Sequence, residues 1–173
     1  MTFELRDRLM EGDRRVVGAA GAVADQVRQD ATLLPELIAL LDDGDKAVVA
    51  HAAHALMQLA ADEPARFDPF ADGLLDRLET LNQWEIGEQL PKILVRTALT
   101  NVQVQRLAGI LKSNTNAKSN IVAACSLQGI VDLACDRRID PAIAVKCLET
   151  ALASDRKALA ARARQLQKFV SRL

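Results

Sequence analysis

The segment Glu11-Gly-Asp-Arg-Arg-Val-Val17 returns 32 residues later as Asp43-Gly-Asp-Lys-Ala-Val-Val49, and the correspondence continues without a gap. Val16, Ala20, Val23, Ala24 and Val27 fall on Val48, Ala52, Ala55, Leu56 and Leu59. Their spacing of i, i+4, i+7, i+8 and i+11 draws one stripe along an α-helix. A chain that repeats at this length folds as stacked units, each burying its apolar face only against its neighbours. The stripe recurs at Ile86, Leu90, Ile93, Leu94 and Thr97, then at Val122, Ser126, Gly129, Ile130 and Leu133. A last copy aligns as Leu159, Ala163, Leu166 and Val170, where a one-residue shift is allowed.

A shorter apolar pattern precedes each later stripe: Leu34, Leu37, Ile38 and Leu41; Phe70, Leu74, Leu75 and Leu78; Val104, Leu107, Ala108 and Leu111; Ile143, Cys147, Leu148 and Ala151. The chain therefore reads as about five antiparallel helix pairs of roughly 32–38 residues each, a length typical of helical repeats. Composition agrees. Alanine and leucine supply 54 of the 173 residues, tyrosine is absent and aromatics make up 3%. Val and Ile total 21, with only 8 Gly and 5 Pro, too few for a β-sandwich or barrel and its turns. The expectation is one all-α domain over 1–173, a right-handed α-α superhelix.

Turn residues fall between these elements. Gly12 and Gly44 sit in the turns inside the first two pairs. Pro64, Pro69 and Pro141 fall between pairs or in first turns, where a missing N–H costs little. Asp68 and Asp140 precede prolines as N-caps, and Ser113-Asn-Thr-Asn116 reads as a loop inside the fourth pair. Pro91 lies inside a helix that begins near Asn82; its ring meets the carbonyl of Gly87, so a kink is expected there.

The second pair resembles the HEAT repeat family, a relative of armadillo repeats. It carries Leu-Leu-Pro-Glu-Leu-Ile-Ala-Leu-Leu-Asp-Asp over 33–43, then Asp45, Val48, Ala52, Ala55, Leu56 and Leu59 in the family's spacing. Asp43 matches the family's aspartate, whereas Val49, like Val17 in the first pair, stands where arginine is usual. The arginine–aspartate ladder of such repeats is therefore not expected here. The resemblance implies a solenoid whose second helices line a concave, partner-binding face, and it implies no reaction.

Charge is unevenly spread. Residues 1–87 hold 8 Lys+Arg against 17 Asp+Glu, and residues 88–173 hold 14 against 6, so a net charge of −1 hides a dipolar chain. A basic patch is expected on the last helix at Arg156, Lys157, Arg162, Arg164, Lys168 and Arg172. It suits an acidic protein surface or phosphates, or simply a solvated capping helix whose cations complement the helix dipole.

Trp84 is the sole tryptophan, and it either shields a helix start or anchors a partner. Arg14, Arg15, Lys46, Trp84, Glu85, Glu88 and Gln89 fall near the starts of second helices and are the expected partner-binding residues. DNA-reading HEAT-like glycosylases need aromatic or basic clusters, and the neighbours of Trp84 are Glu85 and Glu88.

Catalysis has little to stand on. His51 and His54 share a helix without a third ligand, and Cys125, Cys135 and Cys147 show no Cys-x-x-Cys spacing. No phosphate loop, dinucleotide fingerprint or nucleophile elbow occurs. No metal or cofactor is expected. The cysteines read as free core thiols in a reducing compartment. Met1–Gly12 is too charged for a secretory leader, and the longest uncharged run, Ala47–Ala61, is too short to span a bilayer. The expected protein is a cytoplasmic monomer, a non-catalytic scaffold for a protein or peptide. The alternative is a nucleic-acid binder using the basic C-terminal half.

Overall fold

The chain builds ten helices in a computed structural model that describes residues 3–11 and 19–170. They are α1 (Phe3–Met10), α2 (Ala20–Gln29), α3 (Leu34–Ala39), α4 (Lys46–Asp62), α5 (Ala71–Thr80), α6 (Trp84–Leu94), α7 (Asn101–Asn114), α8 (Asn120–Cys135), α9 (Pro141–Leu152) and α10 (Lys157–Val170). Tight 3-10 turns flank α3 and fill Pro64–Phe70 before α5, and no strand occurs among the described residues. Gly12, Arg14, Arg15, Val16, Val17 and Arg172 lie outside the described residues.

Local chemistry sets several of the starts. The Asp45 carboxylate accepts the Ala47 N–H at 2.7 Å and opens α4. Thr100 and Gln103 form a reciprocal capping box at α7. Asp140 accepts from Ala142 N at 2.9 Å with Pro141 at the first helical position, as the sequence suggests. Asp68 does otherwise: α5 starts only at Ala71, and Asp68 accepts the Ala98 N–H of the next pair at 2.9 Å. α7 runs through Asn114, so the expected loop starts two residues late, at Thr115. α6 starts at Trp84 rather than near Asn82.

The stripes are buried as the periodicity predicts. Val48, Ala52, Ala55, Leu56 and Leu59 are inside, as are Ile86, Leu90, Ile93, Leu94 and Thr97 in the next pair. One apolar core runs from Leu5 to Leu166. Each second helix packs on the next, α2 on α4, α4 on α6, α6 on α8 and α8 on α10, whereas among the first helices only α5 and α7 meet to any extent, and far less closely. The more closely spaced layer must lie on the inside of a curve, which puts the second helices on the concave side of an α-α superhelix. At Gly87 the approach of α6 to α8 is so tight that a Cβ would sit 2.8 Å from both Val122 γ-carbons and from Leu81 Cδ1.

Polar ties also join the repeats, though position 49 holds valine and supplies none of them. Arg6 of α1 binds Asp43 at 2.7 and 3.1 Å, and Asp43 also accepts the Asp45 N–H. Arg77 of α5 chelates Asp42, and Arg106 of α7 reaches Asp76 at 2.8 Å and also Glu79. Arginines on first helices thus perform the bridging that Val49 cannot. Two further arginines, Arg66 in the 3-10 segment before α5 and Arg138 in the loop before α9, cap the ends of α2 and α6. Arg66 donates to the carbonyls of Val27 and Arg28, and Arg138 to those of Val95 and Thr97, where orphan carbonyls and the dipole favour a cation. All three cysteines are free, but only Cys147 is buried. Cys125 is half-buried, and Cys135, the last residue of α8, is exposed.

Candidate binding face on the second helices

Counting from the first residue of each buried stripe gives the side chains that second helices present at equivalent levels. Six residues on stand Ala22, His54, Lys92, Gln128 and Gln165, and ten residues on stand Gln26, Gln58, Arg96, Asp132 and Phe169. At 100° per residue the first row points away from the buried stripe, and the second flanks the seam with the preceding helix. All ten are exposed or half-buried. Ala124 and Ala161 keep the space beside them low, at the level where α6 carries Glu88.

Contacts across each seam confirm this order. Arg28 of α2 donates to Gln58 O at 3.4 Å and pairs with Asp62 at 3.0 Å. His54 of α4 faces Glu88 and Lys92 of α6, and burial lowers its pKa despite Glu88. Cys125 of α8 faces Lys92, Glu88 and Arg162, and burial pushes its thiol up. Lys92 donates to Gln89 Oε1 at 3.0 Å and lies 3.7 Å from Glu88. Arg162 of α10 donates to Gln128 Oε1 at 2.7 Å and to Gln165 Oε1 at 3.2 Å, and Gln128 donates in turn to Asp132 at 2.6 Å. Desolvation raises the Asp132 carboxyl above its ordinary range, against the opposing pull of the Gln128 hydrogen bond and of Arg162 and Arg96 on either side.

Between α8 and α10 this face opens into a cleft of about 510 Å³, walled by Val131, Leu166 and Phe169 with Asp132 and Arg162 at its polar edge. Phe169 is 45% exposed there. A second cleft, about 610 Å³, opens between α9 and α10 beside Val145, Leu148, Arg164 and Lys168.

The residues expected to bind a partner do not all reach this face. Trp84 is 41% exposed at the start of α6, Lys46 is exposed and Glu88 is half-buried. Glu85 and Gln89 are 4% and 5% exposed, because each is turned into the packing around α6. The C-terminal cations diverge around their helix. Arg156 donates to Asn120 at 2.8 Å, Arg162 joins α8, and Arg164, two residues and about 200° further round, lines the cleft between α9 and α10. Lys157 is exposed at the helix start and Lys168 borders both clefts.

His54, Lys92, Arg96, Gln128 and Asp132 escaped selection. The register that aligns the buried stripes also finds them when the opposite face is read. The arginine clamps had their own signal, since Arg66-Phe67-Asp68-Pro69 returns as Arg138-Ile139-Asp140-Pro141. Among the described residues no three His, Cys, Asp or Glu side chains gather to hold a metal, and no helix is long and apolar enough to cross a membrane.

No family model and no curated protein matches the chain. Solved structures do. An engineered protein from the Northeast Structural Genomics Consortium superposes with a TM-score of 0.63 at 17% identity, over 98% of this chain and 79% of that one. A designed armadillo repeat protein, solved in complex with the peptide (KR)4, gives 0.58 at 15% identity over 99% of this chain and 79% of that one. Another designed armadillo repeat protein gives 0.58 at 16% identity, covering 98% and 88%. At such identities the likeness concerns the fold, and the fold is an armadillo-like α-α superhelix.

Proposed function

We propose that this chain is a non-catalytic binding module that receives an extended peptide or protein segment on the face made by α4, α6, α8 and α10. The observation that carries the reading is the alignment of half-exposed polar side chains at equivalent levels of successive helices, from Gln58 and His54 to Gln128 and Gln165. A repeating row of amides and charges at repeat spacing suits a repeating ligand backbone. The designed armadillo neighbour in complex with the peptide (KR)4 supports the same use of the fold. Two helices per unit, with the Asp43 turn and the Val48–Leu59 spacing, favour the HEAT branch of these repeats.

Three unpaired thiols, one of them exposed, suit a reducing compartment, and we place the chain in the cytoplasm as a monomer. Nucleic acid is the weaker reading. The cations of α10 point to different sides, so they form no continuous basic track for a phosphate backbone.

The test is selection of binders to the full chain from a random peptide display library. Ala161→Trp fills the inner face of α10, and Val102→Trp marks the outer layer on α7; both parent residues are exposed. Selected peptides should lose binding to A161W by tenfold or more and keep it to V102W. Equal binding to both variants, or loss on V102W, would overturn the reading.

A further inference from the structure

Resting on that reading, we infer that the segment this face takes is acidic and carries a large apolar side chain, with its carboxylates on Arg96 and Arg162 and its apolar group in the cleft between α8 and α10. Four cations border the inner face of the C-terminal half: Lys92, Arg96, Arg162 and Lys168. The acids among them are already occupied. Glu88 lies beside Lys92, and Asp132 accepts from Gln128.

The arginines are differently placed. Arg162 spends its hydrogen bonds on two neutral amides, Gln128 and Gln165. Arg96 is exposed just beyond the end of α6, close enough to Asp132 to lower its pKa but in no ion pair among the described residues. Two guanidiniums thus flank α8 from the helices on either side, each with donors left over for a carboxylate. Directly beside Arg162, the wall of Val131, Leu166 and Phe169 leaves a ring exposed to water. Phosphate has no use for that wall, and a Lys-rich segment meets four cations. A Glu or Asp followed within a few residues by Phe or Leu meets both features at once.

The experiment measures binding of fluorescein-labelled probes to the full chain at low salt. The probes are a Glu-rich peptide with a central Phe, its Gln-for-Glu counterpart, a Lys-rich peptide of the same length, and single-stranded DNA of matched charge. The Glu-rich peptide should bind at least tenfold more tightly than the other three. Arg96→Gln and Arg162→Gln should each weaken it by about 5- to 10-fold, the loss expected for one charge-assisted contact at a half-exposed site. Arg164→Gln, on the opposite side of α10, should change it less than twofold. R96Q keeps the test valid if R162Q, which also unties α8 from α10, loosens the fold; circular dichroism and melting separate the two cases. The inference falls if the Gln-rich peptide binds as well, if the Lys-rich peptide or DNA binds more tightly, or if R164Q costs as much as R96Q. A Gln-rich peptide that binds equally and loses affinity on A161W would sink the acidic preference while leaving the binding face standing.

Discussion

Replacing Gly87 by alanine should destabilise the protein although it sits inside a helix, where alanine is ordinarily the better residue. The added Cβ would stand 2.8 Å from Val122 Cγ1, Val122 Cγ2 and Leu81 Cδ1. Leu81 can yield, since the contact is the far end of a flexible side chain. Val122 cannot: it is buried, β-branched and stiff at χ1, and both its γ-carbons are struck together. Relief must come from α6 and α8 moving apart, and overpacking of this kind costs about 1–3 kcal/mol.

The gain in helix propensity returns about 1 kcal/mol. The net is a loss of up to about 2 kcal/mol, which in a chain of this size lowers Tm by up to roughly 8 °C. Gly109 supplies the opposite sign, because it lies exposed in α7 with nothing within 4 Å of a new Cβ, so Gly109→Ala should stabilise by up to about 1 kcal/mol. Val122→Ala removes both struck carbons. In that background Gly87→Ala should be neutral or stabilising, giving a coupling of about 1–3 kcal/mol in a urea-denaturation double-mutant cycle. A G87A that melts higher than its parent, or a cycle with no coupling, would refute the close α6–α8 approach.

Three further outcomes follow from the electrostatics. Arg138→Ala should cost about 1–2 kcal/mol in urea denaturation, since the carbonyls of Val95 and Thr97 lose a charged donor; an unchanged midpoint would show that water replaces it freely. Burial raises the Asp132 carboxyl, so its ionisation opposes folding above the raised value and costs nothing below the ordinary one. Asp132→Asn should therefore melt higher than the parent at about pH 7 and lose that advantage as pH falls through the window between the raised and the ordinary carboxylate value. Asp43 is the reverse case. Arg6 and the Asp45 N–H hold its carboxyl low, so its stabilisation is present above the ordinary range and disappears as pH falls through the depressed value. Asp43→Asn should lower the neutral-pH midpoint and flatten the acid limb of the melting profile.

Periodicity made the layered helix pairs legible, because a stripe such as Ile86, Leu90, Ile93 and Leu94 can be satisfied only by burial on one side. Caps were legible where the partner is local, as at Asp140. They misled where the partner is distant: Asp68 looks like a cap before Pro69, but its donor, Ala98 N, lies 30 residues on. The same distance hid the ties between repeats, since Arg6, Arg77 and Arg106 reach Asp43, Asp42 and Asp76 across 30 to 37 residues. Proximity to a helix start gathered Trp84, Glu85 and Gln89 together, although Trp84 is exposed and Glu85 and Gln89 are buried. The angle from the buried stripe removes Gln89 but not Glu85, which lies seven residues before Lys92 and only about 20° round from it; Glu85 is set apart by its burial at the helix start.

The measurement closest to the central claim is amide chemical-shift mapping of the full chain with a peptide selected as its binder. Shifts should concentrate on α6, α8 and α10, around Lys92, Gln128 and Gln165, and leave α5, α7 and α9 unmoved. Shifts centred on the first helices, or on the cleft beside Val145 and Arg164, would contradict it.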